Sequence, residues 1–367
     1  MGMKQILVMM AAVLVVGCSN DARKAEPLPA PHTPEDKPIT AQAAEAEAQV
    51  TPELSPEPDP VLPVDEKLIA DPIIEKAVRK SLNKPEGELT ESDLKKVTDL
   101  SLFRTQITEG GLKELAKLQQ LTTLNLAFTK ITDEGQKELA KLQQLTALFL
   151  GETQITDADL KEVVKLQKLE TLGLGDTQIT DAGIKELAKL KNLGKLYLEG
   201  TQITDAGLKE VTKLQKLETL VLDDTQITSA GIKELAKLQK LTALFLSSTD
   251  ITDTGLKEVA KLQNLGVLDL DDTQITDAGL KELAKLQKLT ALVLYDTQIT
   301  DTGLKEVAKL QKLELLYLAD TKITDAGLKE VAKLKKLKLL DARDTKITKA
   351  GVAGLQKALP QCDITAP

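Results

Sequence analysis

The sequence contains no tryptophan, three tyrosines, four phenylalanines, one histidine and two cysteines among 367 residues. So little aromatic bulk argues against an ordinary mixed core. The 42% of apolar residues must fill space chiefly as Leu, Ile and Val, which suits many small, similar layers better than one irregular interior. Two cysteines cannot build a disulfide scaffold. A single histidine leaves no imidazole triad or dyad and no His-rich metal site. The sequence also has no nucleophile with an adjacent base, no phosphate-binding loop and no HExxH. The reading is therefore of a non-enzymatic protein that needs no cofactor or metal.

A strong charge of either sign is missing too. The formal charge of −8 is uneven: residues 19–64 carry nine acids and three bases, whereas residues 65–367 carry 47 acids and 44 bases. No basic field is present to attract nucleic acid.

Lys4 precedes an apolar run from Ile6 to Val16 that is too short to span a bilayer as a helix and has the length of a signal-peptide core. The stretch Val15-Val16-Gly17-Cys18 resembles the lipobox of bacterial lipoproteins. That resemblance implies a signal peptide over 1–18, lipidation of Cys18 and anchoring in the bacterial cell envelope, on the periplasmic side of a membrane or at the cell surface. Residues 19–64 hold ten of the 14 prolines and almost no large apolar residue. Such a segment reads as a disordered, proline-rich acidic linker, because it buries too little to offset its chain entropy. His32 lies in it and reads as a solvated residue.

The remainder is periodic. Threonine recurs every 24 residues from Thr105 to Thr345, eleven times in all. Around it runs L-x-x-L-x-L-x-x-T-x-I-T-D-x-G-L-K-E-L-A-K-L, as at Leu289, Leu292, Leu294, Thr297, Ile299 and Leu304. This pattern resembles the leucine-rich repeat, in its bacterial form with a helix in each unit. The resemblance implies an α/β solenoid, curved, with parallel strands on the concave face and helices on the convex face.

The residues support that fold independently. Leu292 and Leu294 alternate with other residues as a strand with one buried face does. Thr300 is placed to cap a helix whose Asp301 favours the positive helix end, with Leu304, Val307, Ala308 and Leu310 as the apolar stripe. Asp71-Pro72 opens a capping helix, and Thr90 to Asp93 makes a capping-box pattern. Near the C-terminus, Gly351 to Leu359 reads as a last helix stopped by Pro360, with Cys362 as an apolar plug. The expected organisation is an N-terminal helical cap over 65–99, eleven repeats over 100–349 and a C-terminal cap over 350–367.

Function is expected where repeats differ, on the outward side of the strands. All seven aromatics fall there or in the following loop, and none is assigned to the core. Phe149, Tyr197, Phe245, Tyr295 and Tyr317 are candidate apolar anchors, and Asp269, Asp271, Asp272 and Asp296 are candidate acidic contacts. The competing reading of the aromatics is packing between neighbouring strands. The acids directly before the repeat threonine have an alternative role in satisfying the turn. Stacked carboxylates should either raise one another's pKa or attract cations. The expected partner is a protein or peptide of basic character, or a surface polymer, bound by a monomer. The alternative is a structural envelope spacer with no dedicated ligand.

Overall fold

The computed structural model describes residues 67–367. The chain divides into two units, 1–62 and 63–367, and every described residue belongs to the second. Cys18, the lipobox, His32 and the proline-rich segment lie outside the described residues.

Twelve strands of three residues, from Asp99–Ser101 to Asp363–Thr365, form one parallel sheet in strict chain order. We number them as rungs one to twelve. Each rung pairs in identical register with the next, so Leu292 faces Leu316 and Leu316 faces Leu340. A 24-residue period with no shift in register stacks the same position of every repeat into a column. The leucine columns are buried on one side of the sheet, and the helices cover them. No single repeat can bury both of its apolar faces, so stability is a property of the stack.

The helices form for local reasons. Thr300 is extended, and its hydroxyl accepts from Thr302 N–H, opening the helix Asp301–Val307. That helix is shorter than the apolar stripe suggested: Leu310 lies beyond its end, buried in the turn. Gln311 Nε2 donates to Ala308 O at 2.6 Å, satisfying a carbonyl that the helix leaves free. Where Asp159 replaces the usual glycine, the helix shrinks to Leu160–Val163. There the Asp159 carboxylate turns back to Thr156 N–H at 2.7 Å.

A second role of the helix-opening aspartate appears only in three dimensions. Asp277 Oδ1 accepts from Thr300 N–H at 2.8 Å and Oδ2 from Thr300 Oγ1 at 2.6 Å, 23 residues along the chain. The same double bond joins Asp157 to Thr180, Asp181 to Thr204, Asp205 to Thr228, Asp253 to Thr276, Asp301 to Thr324 and Asp325 to Thr348. Each of these carboxylates thus fastens one repeat to the next. The repeat glycine makes room for it, since a Cβ on Gly303 would overlap Asp277 Oδ1. At Ser229 the hydroxyl reaches Thr252 N–H at 2.8 Å, and Thr252 makes no capping bond to its helix. The repeat threonines from Thr129 to Thr321 are buried, and all are bonded locally, as Thr297 Oγ1 donates to Leu294 O at 2.7 Å.

Both ends close as their sequences suggest. Asp71 Oδ1 accepts from Ile73 and Ile74 N–H at 2.8 and 3.0 Å at the start of helix Pro72–Ser81, and Thr90 with Asp93 completes a capping box. The last helix is Lys349–Ala358, and Cys362 is buried behind it with Leu359. Burial pushes the Cys362 thiol pKa up, which keeps it protonated.

Candidate binding face

Opposite the helices, each repeat presents three positions: one between the paired leucines, one after the second leucine, and one just before the repeat threonine. The third is conformationally special. Arg104, Phe128, Glu152, Asp176, Asp224, Ser248, Asp272, Asp296, Asp320 and Asp344 all have φ between 45° and 60°, and Gly200 has 63°. The chain must turn left-handed there to leave the strand. Asp and Gly tolerate that backbone better than most residues do, so the acid column reflects a turn requirement first. It nevertheless leaves Asp272 and Asp296 exposed.

Phe128 and Arg104 occupy the same strained conformation with bulky side chains. They form a stack at the N-terminal end with Phe103, the one exposed large hydrophobic residue among those described, at 44% exposure. The Phe103 and Phe128 rings meet edge-on at 5.2 Å, and the Arg104 guanidinium lies 5.1 and 4.5 Å from their centroids. The sequence shows these residues individually; their stacking needs the register between rungs one and two.

The candidate contacts separate into two groups. Tyr295, Tyr317, Phe149 and Asp271 are partly exposed, and Asp272 and Asp296 are open to solvent. Phe245, Tyr197 and Asp269 are not: their exposures are 2%, 8% and 4%. The expectation that no aromatic belongs to the core is corrected for Phe245 and Tyr197. Strands spaced by roughly 4.8 Å put the neighbouring outward side chains in contact, and Phe245 sits in register between Val221 and Asp269. Phe149 leans across Gly173, where an added Cβ would approach its Cδ1 to 2.9 Å, towards Tyr197 with ring centroids 6.4 Å apart. The burial of Tyr197 and Phe245 agrees with the cross-strand packing alternative.

The carboxylates on this face perturb one another. Burial pushes the Glu199 pKa up to about 7, with Asp176 adding repulsion. Burial and the nearby Asp269 hold Asp223 well above the usual carboxylate range, although its Oδ1 accepts from Ser247 N–H at 2.8 Å. Ser247 Oγ lies 3.2 Å from Asp271 Oδ2, and Asp271 N–H donates to Asp269 Oδ1 at 3.0 Å. The mutual elevation expected of stacked acids is therefore present on rungs four to six, at Asp176, Glu199 and Asp223. Further along, Tyr295 is bonded to the Asp320 carboxylate, which pushes the phenol up to about 12. Arg343 pairs with Asp341 at 2.6 Å.

Beside the acid column runs a shallow groove of about 600 Å³ lined by Ser248, Asp250, Asp272, Gln274, Asp296 and Gln298 together with repeat threonines. It is open and polar. No group of three or more His, Cys, Asp or Glu among the described residues is arranged to hold a metal ion.

A family model described as "Leucine Rich repeat" matches seven 24-residue segments: 117–140, 165–188 and the five consecutive ones spanning 213–332. Among solved structures, an internalin C2 from Listeria monocytogenes is 32% identical, with 94% of its chain and 62% of this chain aligned at a TM-score of 0.50. The protein belongs to the leucine-rich-repeat family. A second Listeria monocytogenes internalin, 22% identical over 95% of its chain and 81% of this one at a TM-score of 0.57, shares the fold. No curated protein matches the chain. Leucine-rich-repeat solenoids are commonly protein-binding scaffolds without catalytic activity, and their strand face is where neighbouring repeats are free to differ. No helix among the described residues is long and apolar enough to cross a membrane.

Proposed function

We propose that this chain is a lipid-anchored, extracytoplasmic recognition protein, monomeric, that binds a protein or peptide of basic character on the strand face of its C-terminal rungs. One observation carries the reading: on rungs eight to eleven the exposed acids Asp272, Asp296, Asp320 and Asp344 run beside the partly exposed rings of Tyr295 and Tyr317. Apolar rings flanked by solvated charge of one sign suit a partner that presents basic side chains around an apolar segment. Asp269 is buried and is not part of this proposed contact set.

The anchor rests on the lipobox resemblance at Cys18. Cys18→Ser should leave an unprocessed precursor or change its membrane fractionation; normal processing and detergent-free solubility of the wild type would overturn it. For the face, a partner captured by cross-linking to the full chain should bind Tyr295→Ala/Tyr317→Ala and Asp272→Asn/Asp296→Asn more weakly, and its affinity should fall as salt rises. Unchanged affinity in both variants would favour the second reading, a structural envelope spacer. The burial of Tyr197 and Phe245 between neighbouring rungs supports that alternative, since buried rings offer little surface to a ligand.

A further inference from the structure

Rung four is the narrowest on the strand face because its outward residues are Gly173 and Gly175. Neighbours on both sides fill the resulting notch. Phe149 enters from rung three over Gly173, and the Glu199 side chain enters from rung five over Gly175, where any Cβ would overlap its carboxyl carbon and Oε1. Glu199 Oε2 is fully buried there and has no hydrogen-bond partner. The groups facing this carboxyl are Asp176 from rung four, Asp223 from rung six and Tyr197 from its own strand. Lys195, the base on the same rung, forms no ion pair among the described residues. A carboxylate anion placed here would thus be desolvated, short of a donor and surrounded by acids. A neutral carboxyl avoids the charge penalty that the anion would carry there.

We propose that Glu199 is a proton-operated latch between rungs four and five: neutral, it lies folded into the glycine notch; ionised, it swings to solvent and uncovers the backbone at Gly175. The latch works near neutrality, because burial holds the carboxyl up to about 7. Its opening adds a negative charge to the strand face and loosens the seam at which Asp176 N–H donates to Glu199 O at 2.7 Å. This inference concerns the folded chain alone and does not depend on any partner.

The sign follows from linkage. A carboxyl whose folded pKa exceeds its unfolded value binds a proton more tightly in the folded chain. Its contribution is fully present below the unfolded value of 4.5 and is lost as pH rises towards about 7, above which stability levels off. The carboxylates held low by lysine or threonine partners on the helical side, such as Glu186, Glu282 and Asp325, act in the opposite direction and below pH 4.5.

The test uses the full chain in detergent. Urea unfolding is followed from pH 4.5 to 8.5 in the wild type, Glu199→Gln and Asp223→Asn, and amide exchange of Asp176 N–H is measured and corrected for the intrinsic pH dependence. Glu199→Gln should remove one proton's worth of the slope, up to tenfold in the unfolding constant per pH unit between about 5 and 7. It should also abolish the extra exchange of Asp176 that the wild type gains above pH 7. Asp223→Asn should lose the share of the slope that Asp223, also held above the usual carboxylate range, contributes, but it should keep the extra Asp176 exchange above neutrality. A slope in Glu199→Gln that is undiminished from the wild type, or Asp176 exchange that still gains above pH 7 in Glu199→Gln, would overturn the latch. Should Glu199→Gln prove too unstable to compare, Glu199→Leu serves, and Asp176 exchange in the wild type that does not respond to pH is sufficient to refute it.

Discussion

Rungs five to eight and rungs nine to eleven are built from the same repeat, yet they use the strand face in opposite ways. In the first group Tyr197, Phe245, Asp223 and Asp269 are buried, and Glu199 and Asp223 are held with elevated pKa values. In the second, Tyr295 and Tyr317 stay partly exposed and Asp296, Asp320 and Asp344 stand in solvent, while Asp341 is buried and paired with Arg343. Nothing within one repeat explains the difference. It arises from the residues 24 positions before and after: Gly173 admits Phe149 towards Tyr197, whereas the small Ala319 leaves room for Tyr295 to reach Asp320. On a stacked sheet, a side chain's exposure is decided by its column and not by its own repeat.

The largest test of that contrast compares rings. Phe245→Ala should destabilise by about 3 to 5 kcal/mol and Leu268→Ala by about 2 to 5, because both vacate filled layers. Tyr295→Ala should cost under about 1 kcal/mol. Equal losses at Phe245 and Tyr295 in denaturant melts would erase the division. Next come the seams: Asp277→Ala strips Thr300 of both of its cross-repeat bonds and should cost about 1 to 3 kcal/mol. The converse change, Ser229→Asp, restores the carboxylate missing at Thr252 and should raise the thermal midpoint, by about 0.5 to 1.5 kcal/mol in stability. A fall would show that the serine seam is adapted to its own neighbours. The smallest effect is expected on the helical side, where Glu282→Gln breaks the ion pair with Lys285. That side chain is solvated and the pair screened, so its melting curve should overlay that of the wild type.

Much of the fold was legible because its causes are local or periodic. The 24-residue spacing gives the parallel stack, the paired leucines give the strands, and Thr300, Asp71 and Thr90 announce their caps through the residue types that capping requires. Cys362 as a plug could be read from its place after Pro360. The face was legible only in part. Sequence alternation identifies which side Phe245 and Asp269 occupy, but not that Val221 and Val293 crowd that side until they are buried. The acid column left a binding role and a turn role open in the sequence, and φ between 45° and 60° supplies the turn requirement. The aspartate-to-threonine fasteners escaped because one residue type served two purposes: a carboxylate at a helix start already has an adequate local explanation. The same Asp at 23-residue spacing from a Thr was nonetheless a visible signal.

Those fasteners have a consequence for the length of the molecule. Every seam of the aspartate type joins like to like, so excising residues 277–300 would leave Asp253 bonded to Thr276 and Asp301 bonded to Thr324, with Thr276 now opening the helix of Asp301. A unit of 24 residues can leave or enter without any surviving seam needing a new partner, whereas a cut that is not a multiple of 24 misaligns every column beyond it. The array is therefore extensible in the manner of a chain of identical couplings, and its reach along the sheet is set by how many links are strung between two fixed end pieces.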